Sequence, residues 1–329
     1  MRTRVLIGCG LATVLLGGTT ALAATVAEAM TAHVTTAHPM VGQPLDIAGQ
    51  VTDAATYPVM ITVTRDDANG TGAAAGTTMT TDDQGDFAFE DSQQARGAVT
   101  YHLTAQDGSA ATVDVQTHVA GKPTDLSVSA KPRTAEANTS VQVTAHLASP
   151  TTDRTVTLYA QPYQRSRQQF DSGAVDANGN RTAGYTVQRR TTFIATFAGD
   201  TAYAPASSVV TVQVRAVVNA QLQGGYGTRH GYRLFHRGAD VNVLIHMQPE
   251  YKGACIVIRA QRKSGGSWHS AAVSNCRQDV IRTNSGGEVI AQLQPPHVVG
   301  VPYRLRAEFH GGNGVAARNG DWLYLRFQN

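Results

Sequence analysis

Apolar residues alternate with polar ones in short runs along most of the chain, and the runs are broken by Gly, Asn, Asp and Pro. Period-two alternation places every second side chain on one face of a strand, so these runs predict half-buried β-strands. Three landmarks recur. The first is an opening strand after a polar turn, GQPLDIAGQV from Gly42, NTSVQVTAHL from Asn138 and GADVNVLIHM from Gly238, at spacings of 96 and 100 residues. The second is a strand whose inward positions are Val59, Ile61 and Val63, then Val156, Leu158 and Ala160, then Ile256, Ile258 and Ala260. The third is a hairpin turn, TDDQGDFAF from Thr81, DANGNRTAGY from Asp176 and TNSGGEVIA from Thr283, where Gly85, Gly179 and Gly286 are expected to supply a positive φ.

Such units, of about seven short strands and roughly 100 residues, read as immunoglobulin-like sandwiches. The expected fold is all-β: three tandem immunoglobulin-like β-sandwich domains after an N-terminal signal helix. The registers place a signal peptide at residues 1–23 and domains at 24–120, 121–216 and 217–329. AGKPT at 120–124 is a Pro/Gly link, whereas RAVVN at 215–219 has neither breaker, so the second joint is expected to be the stiffer.

The N-terminus reads as an export signal. Arg2 and Arg4 form a basic start, and Val5 to Leu22 carries no charge. Ala21 and Ala23 precede a cut at Ala24, and a second small-residue pair, Ala27 and Ala29, offers a cut at Met30. Retention as an anchor is the competing reading, since about 18 to 20 apolar residues can just span a bilayer. A lipobox ending at Cys9 is the third, opposed by its position, because most of the apolar segment follows that cysteine. No later stretch is long and apolar enough to span, so a secreted, extracellular product is expected.

The stretch FAGDTAYAPASSVVTVQV, from Phe197, resembles the closing motif of bacterial Ig-like repeat domains. Residues 217–329, with GGYGTRHGYRLFHRG, GACIVIRAQRKSGGSW and YRLRAEFHGGNGVAARNGDW, look like the terminal domain of exported actinobacterial Ig-like repeat proteins. In the first unit the closing hairpin TAQDGSAAT is shorter and lacks the Tyr and the Ser run. The resemblance implies the sandwich fold, export and a role as spacer or adhesive unit.

Charge is graded along the chain. Residues 24–120 hold 2 basic and 12 acidic residues, 121–216 hold 10 and 6, and 217–329 hold 13 and 6. The basic third domain suits an adhesive or cell-envelope-associated module, whose partner, an extracellular or cell-envelope polymer or protein, the sequence does not identify. Nucleic acid is not an expected partner.

Once Cys9 leaves with the signal, Cys255 and Cys276 form an even pair, which in an oxidising compartment predicts a disulfide. With Gly265 and Gly266 as a two-residue turn, opposed residues sum to 531, and the cysteines face each other directly, at a Cα separation near 4.5 Å if the pair is not hydrogen-bonded. The same register pairs Ile258 with Val273, Ala260 with Ala271 and Lys263 with Trp268, and makes the bridge a hairpin staple on the outer face. A bulge would spoil it.

Asp82, Asp83 and Asp86 invite a calcium reading and hence a calcium-stiffened rod. Turn stabilisation by the same residues is the simpler account. Six of the 11 histidines, His230, His236, His246, His269, His297 and His310, fall in the third domain without the close spacing of zinc ligands. From Tyr226 to Arg237, Tyr226, Tyr232 and Phe235 interleave with Arg229, Arg233 and Arg237, a pattern that can grip sugars, anionic polymers or nucleic acid, although a first strand whose rings pack while its arginines stay wet is the simpler account. There is no GxSxG elbow, Walker loop or recurring Ser-His-acid spacing. A hydrolase on a sandwich scaffold is thus the least supported reading, and no enzyme activity, cofactor or metal is expected.

Overall fold

The computed structural model describes residues 29–67, 78–106, 111–148, 153–277, 281–293 and 298–329; the expected signal helix, Cys9 and His297 lie outside them. The chain divides into two compact units, one ending at Val119 and the other running from Ala120 to Asn329. All regular structure among the described residues is β.

The first unit contains β1 (Ala29–Val34), β2 (Pro44–Thr52), β3 (Met60–Asp66), β4 (Thr78–Thr80), β5 (Asp86–Ser92), β6 (Gly97–Ala105) and β7 (Thr112–Val119). They form a sheet in the order β1-β2-β5 and a second in the order β4-β3-β6-β7. Val59, Ile61 and Val63 are buried, as alternation requires. Between the sheets lies a polar network. The carboxylate of Asp91 accepts hydrogen bonds from Arg65 at 2.6 Å, Gln93 at 2.7 Å and the fully buried Tyr101 hydroxyl at 2.7 Å. Burial alone pushes the Asp91 carboxyl up, but the bonds from Tyr101, Arg65 and the Ser92 amide outweigh it and hold its pKa below the usual value.

The second unit begins with β8 (Leu126–Lys131), β9 (Thr134–Glu136), β10 (Thr139–Leu147), β11 (Thr155–Pro162), β12 (Gln168–Ala174), β13 (Asn180–Val187), β14 (Thr191–Phe197) and β15 (Ala206–Arg215). A β13-β10-β8 sheet covers a β12-β11-β14-β15-β9 sheet. Val141, Val143 and Ala145 of one pack with Val156, Leu158, Phe193 and Val212 of the other. The closing motif has a mechanical role. Asp200 accepts hydrogen bonds from the amides of Ala202 and Tyr203, and the Arg154 guanidinium, bonded to Asp200 at 2.9 Å, lies 3.8 Å from the Tyr203 ring centroid.

The chain then passes into β16 (Val217–Gln223), β17 (Gly227–Arg229), β18 (Tyr232–His236), β19 (Val241–Gln248), β20 (Ile256–Ser264), β21 (Ser267–Val273), β22 (Glu288–Leu293), β23 (Pro302–Phe309), β24 (Arg318–Asn319) and β25 (Leu323–Gln328). The small sheet is β16-β19-β22, and the large one runs β17-β18-β25-β23-β20-β21, with β24 beside β23. Only the fully buried Ala216 separates β15 from β16. The joint is clasped by backbone bonds from Ala316 to Val214 at 2.7 Å, Ala216 to Ala316 at 3.2 Å and Arg190 to Gly314 at 2.6 Å. A Cβ on Gly314 would run into the Tyr163 side chain.

The hairpin turn repeats in atomic detail. Asp82, Asp176 and Asn284 each use a side-chain oxygen to accept two amides of their own turn. The glycine three residues on then donates to the backbone carbonyl of that Asp or Asn. Its own carbonyl accepts from Val51, Leu147 or Met247. That glycine has φ of +86° at Gly85, +78° at Gly179 and +73° at Gly287. The third position is therefore Gly287 and not Gly286, because the turn is counted from Asn284.

The cysteines are joined, with Cα atoms 5.8 Å apart. Gly265 and Gly266 form the expected turn with φ of +55° and +83°, and Lys263 pairs with Trp268. Beyond that the register shifts between Ala260 and Gln261: Ala260 pairs with Ala272 and Arg259 with Val273. Ala271 is the extra residue of a bulge, so the pairings Ile258 with Val273 and Ala260 with Ala271 do not form. Cys276 lies in the turn after β21, and Cys255 bridges Arg282. The disulfide closes the open end of the hairpin without being a directly opposed pair.

Candidate functional site

The outer face of the large sheet in the third sandwich gathers a connected set of charged and aromatic side chains. Alternation builds it. On β23, Leu305, Ala307 and Phe309 point into the core, which leaves Arg304, Arg306 and Glu308 outward. On β25 the inward residues are Leu325 and Phe327, leaving Tyr324 and Arg326. On β20 they are Ile256, Ile258 and Ala260, leaving Arg259, Gln261 and Lys263.

These side chains interleave across the strands. The Arg304 guanidinium carbon is 4.5 Å from the Trp268 ring centroid and 4.0 Å from that of Trp322. Arg306 lies 4.5 Å from Trp322, on its other contact. Trp268 meets Tyr324 at 6.0 Å, Tyr324 meets Tyr232 edge-on at 5.8 Å, and Arg326 sits 5.1 Å from the Tyr232 ring. Each guanidinium–ring contact at a half-exposed site contributes about 0.5–1 kcal/mol. Together they hold the arginines in fixed positions, so little side-chain entropy remains to be lost when an anion binds.

Glu308 anchors one end of the row. Its carboxylate is 4% exposed and accepts from Arg259 at 2.7 Å and Arg306 at 2.6 Å, with His310 at 3.4 Å. Burial would raise its pKa, but the bonds from Arg259, Arg306 and His310 prevail and lower it to about 2. Arg304 and Arg326 have no carboxylate partner among the described residues. Arg304 donates through Nε to Gln261 at 2.7 Å, and the buried Nε of Arg326 has no hydrogen-bond partner. The face thus keeps a surplus of positive charge.

The residues singled out from the sequence fall beside this row. His230 and Gly231, with φ of +46° and +80°, make the two-residue turn of the β17–β18 hairpin. Tyr226 is 49% exposed, stacks on His236 at 4.3 Å and donates its hydroxyl to Gln328. Tyr232 joins the row through Tyr324. Arg233 turns away and donates to the carbonyls of Gly224 and Gly225, which fixes the turn before β17. Phe235 is in the core, and Arg229 and Arg237 are exposed. Trp268, Arg304, Arg306, Trp322 and Arg326 were not singled out, although YRLRAEF and WLYLRF carry them at the outward positions of two alternating strands.

Elsewhere, Asp82 is engaged by its own turn, and no three His, Cys, Asp or Glu side chains among the described residues group as a metal site. No helix among the described residues is long and apolar enough to cross a membrane.

No known family profile matches the chain, and no curated protein matches it. Solved structures do. Four tandem repeats from the extending region of a large adhesion protein superpose with a TM-score of 0.51 at 15% identity, over 91% of this chain and 74% of that one. Overlaps of lower score include the three N-terminal domains of the bacteriophage RB49 outer capsid protein Hoc (TM-score 0.32, 10% identity, 92% of this chain and 98% of that one). Another is invasin, a bacterial integrin-binding protein (0.31, 12%, 91% and 60%). At these identities the likeness is one of fold. The chain is a tandem of immunoglobulin-like β-sandwiches, similar in architecture to the repeats of a large adhesion protein.

Proposed function

We propose that the protein is an exported, non-enzymatic immunoglobulin-like repeat protein that acts as an extracellular adhesive or interaction module. Three sandwiches, with boundaries near residues 120 and 216, carry a binding face on the third. The charged, apolar N-terminal pattern supports export, and the resemblance to exported actinobacterial repeat proteins agrees with it. The observation that carries the binding role is the row Trp268, Arg304, Trp322 and Arg306, in which cations are pre-positioned on an exposed sheet face. Arginine and aromatic residues of this kind dominate the energetics of binding surfaces.

The test is retention of the purified chain on envelope material from the producing cell, at low and high salt. Retention at low salt that falls as salt rises, and that is lost in Arg304→Gln combined with Arg326→Gln, supports the reading. Equal retention of the wild type and that variant refutes it.

A further inference from the structure

We infer that the arginine–aromatic face takes an acidic polysaccharide, whose carboxylates seat on the guanidinium edges of Arg304 and Arg326, while Arg306, which already gives Nε and one terminal nitrogen to Glu308, contributes charge alone; this rests on the binding role proposed above. A guanidinium stacked on a ring presents its N–H groups in its own plane, at the edge. A planar carboxylate matches that edge with two parallel hydrogen bonds, which a neutral hydroxyl does not. Arg304 already spends Nε on Gln261, and its terminal nitrogens have no hydrogen-bond partner among the described residues. These are the two donors an incoming oxyanion needs.

The layout favours a chain over a single small anion. Arg304 and Arg306 lie two residues apart on one strand, about 7 Å along it. Arg326 is on the neighbouring strand, where Pro302 pairs with Arg326 and Arg304 with Tyr324, so it is displaced diagonally from Arg304. Lys263 extends the row on the other side of Arg304, opposite Trp268. A polymer that repeats a carboxylate along its length can engage these cations in succession, and each engagement raises the effective concentration for the next. Glu308 compensates the Arg259 and Arg306 end, and the Arg304 and Arg326 end stays uncompensated.

The same geometry disfavours single-stranded nucleic acid. Bases bind by stacking on open aromatic faces. Here Trp322 is already in contact with two guanidinium groups, Trp268 with Arg304, and Tyr226 with His236.

Both tryptophans of the chain, Trp268 and Trp322, belong to the row, so intrinsic fluorescence reports on it directly. The experiment titrates the full chain with polygalacturonate, dextran and a single-stranded DNA oligonucleotide. Expected is a saturable fluorescence change with polygalacturonate at low salt that is abolished at high salt, with no response to dextran and weaker binding of the oligonucleotide. Arg304→Gln with Arg326→Gln should weaken binding at least about tenfold, and Arg304→Lys, which keeps the charge and loses the fork, should weaken it as well. The exposed Lys263→Gln, which leaves the fold untouched, should give a smaller loss and keeps the test open if the double variant fails to fold. Equal response to dextran, tighter binding of the oligonucleotide, or undiminished affinity in the folded arginine variants overturns the inference. If envelope material retains the chain through these arginines while polygalacturonate gives no response, the polysaccharide inference falls and the binding role stands.

Discussion

Replacing Glu308 by Gln removes one negative charge from beneath Arg259, Arg306 and His310 while nearly preserving volume. The carboxyl is 4% exposed, and its pKa falls from an ordinary value of 4.5 to about 2. A depressed acid stabilises the fold above its unfolded pKa, and that stabilisation disappears as pH drops through the folded value. The difference corresponds to about 3 kcal/mol at pH 6, shrinking to below about 0.5 kcal/mol at pH 2. Urea unfolding followed by tryptophan emission isolates the third sandwich, since Trp268 and Trp322 are the chain's two tryptophans. Urea is preferred to guanidinium chloride, whose ionic strength would screen the ion pairs. With a urea slope of about 1–3 kcal/mol/M, the Gln variant should unfold about 1–3 M earlier at pH 6 and close to the wild type at pH 2. If both proteins lose stability in parallel as pH falls, Glu308 is not held as described and the reasoning fails.

Tyr101→Phe strips a donor from the buried Asp91 carboxylate and should cost about 1–3 kcal/mol, read as faster amide exchange in residues 97–105; exchange unchanged there would contradict the network. Because Asp91 is held below its usual pKa, Asp91→Asn should also flatten the loss of first-sandwich protection between pH 5 and pH 2. Replacing Cys255 and Cys276 by Ser should lower tryptophan-monitored stability by about 3 kcal/mol, as expected for a bridge between residues 21 apart, and leave amide exchange in residues 29–119 unaltered. Gly287→Ala should cost over about 1 kcal/mol, because φ is +73° and a Cβ would strike the Met247 carbonyl, whereas Gly286→Ala should cost less; equal effects would mean that the turn is misassigned.

The repeat pattern was the most legible feature. All nine inward positions from Val59 to Ala260 are buried, because alternation and burial are the same constraint in a two-layer sandwich. The Asp82 and Asp176 turns were equally readable, since each offers one glycine at the required place. The SGG of the third repeat offers two adjacent glycines, and only the hydrogen bonds to Asn284 choose between them. The bulge at Ala271 leaves no signal in composition, so the cysteine register drifted by one residue while the pair itself was foreseeable. The arginine–aromatic row was hidden for another reason. Its members come from β20, β21, β23 and β25 and from Trp322, just ahead of β25, so their adjacency depends on strand order. Tyr226 to Arg237, contiguous in sequence, drew attention first, yet Arg233 proved to hold its own turn.

The proposed binding face is the outer face of the third sandwich. Amide exchange of the full chain, free and bound to envelope material, tests it most directly. Protection concentrated in residues 256–264, 302–309 and 323–328 is the expected footprint. Protection confined to residues 29–119, with those three strands unchanged, would contradict the account.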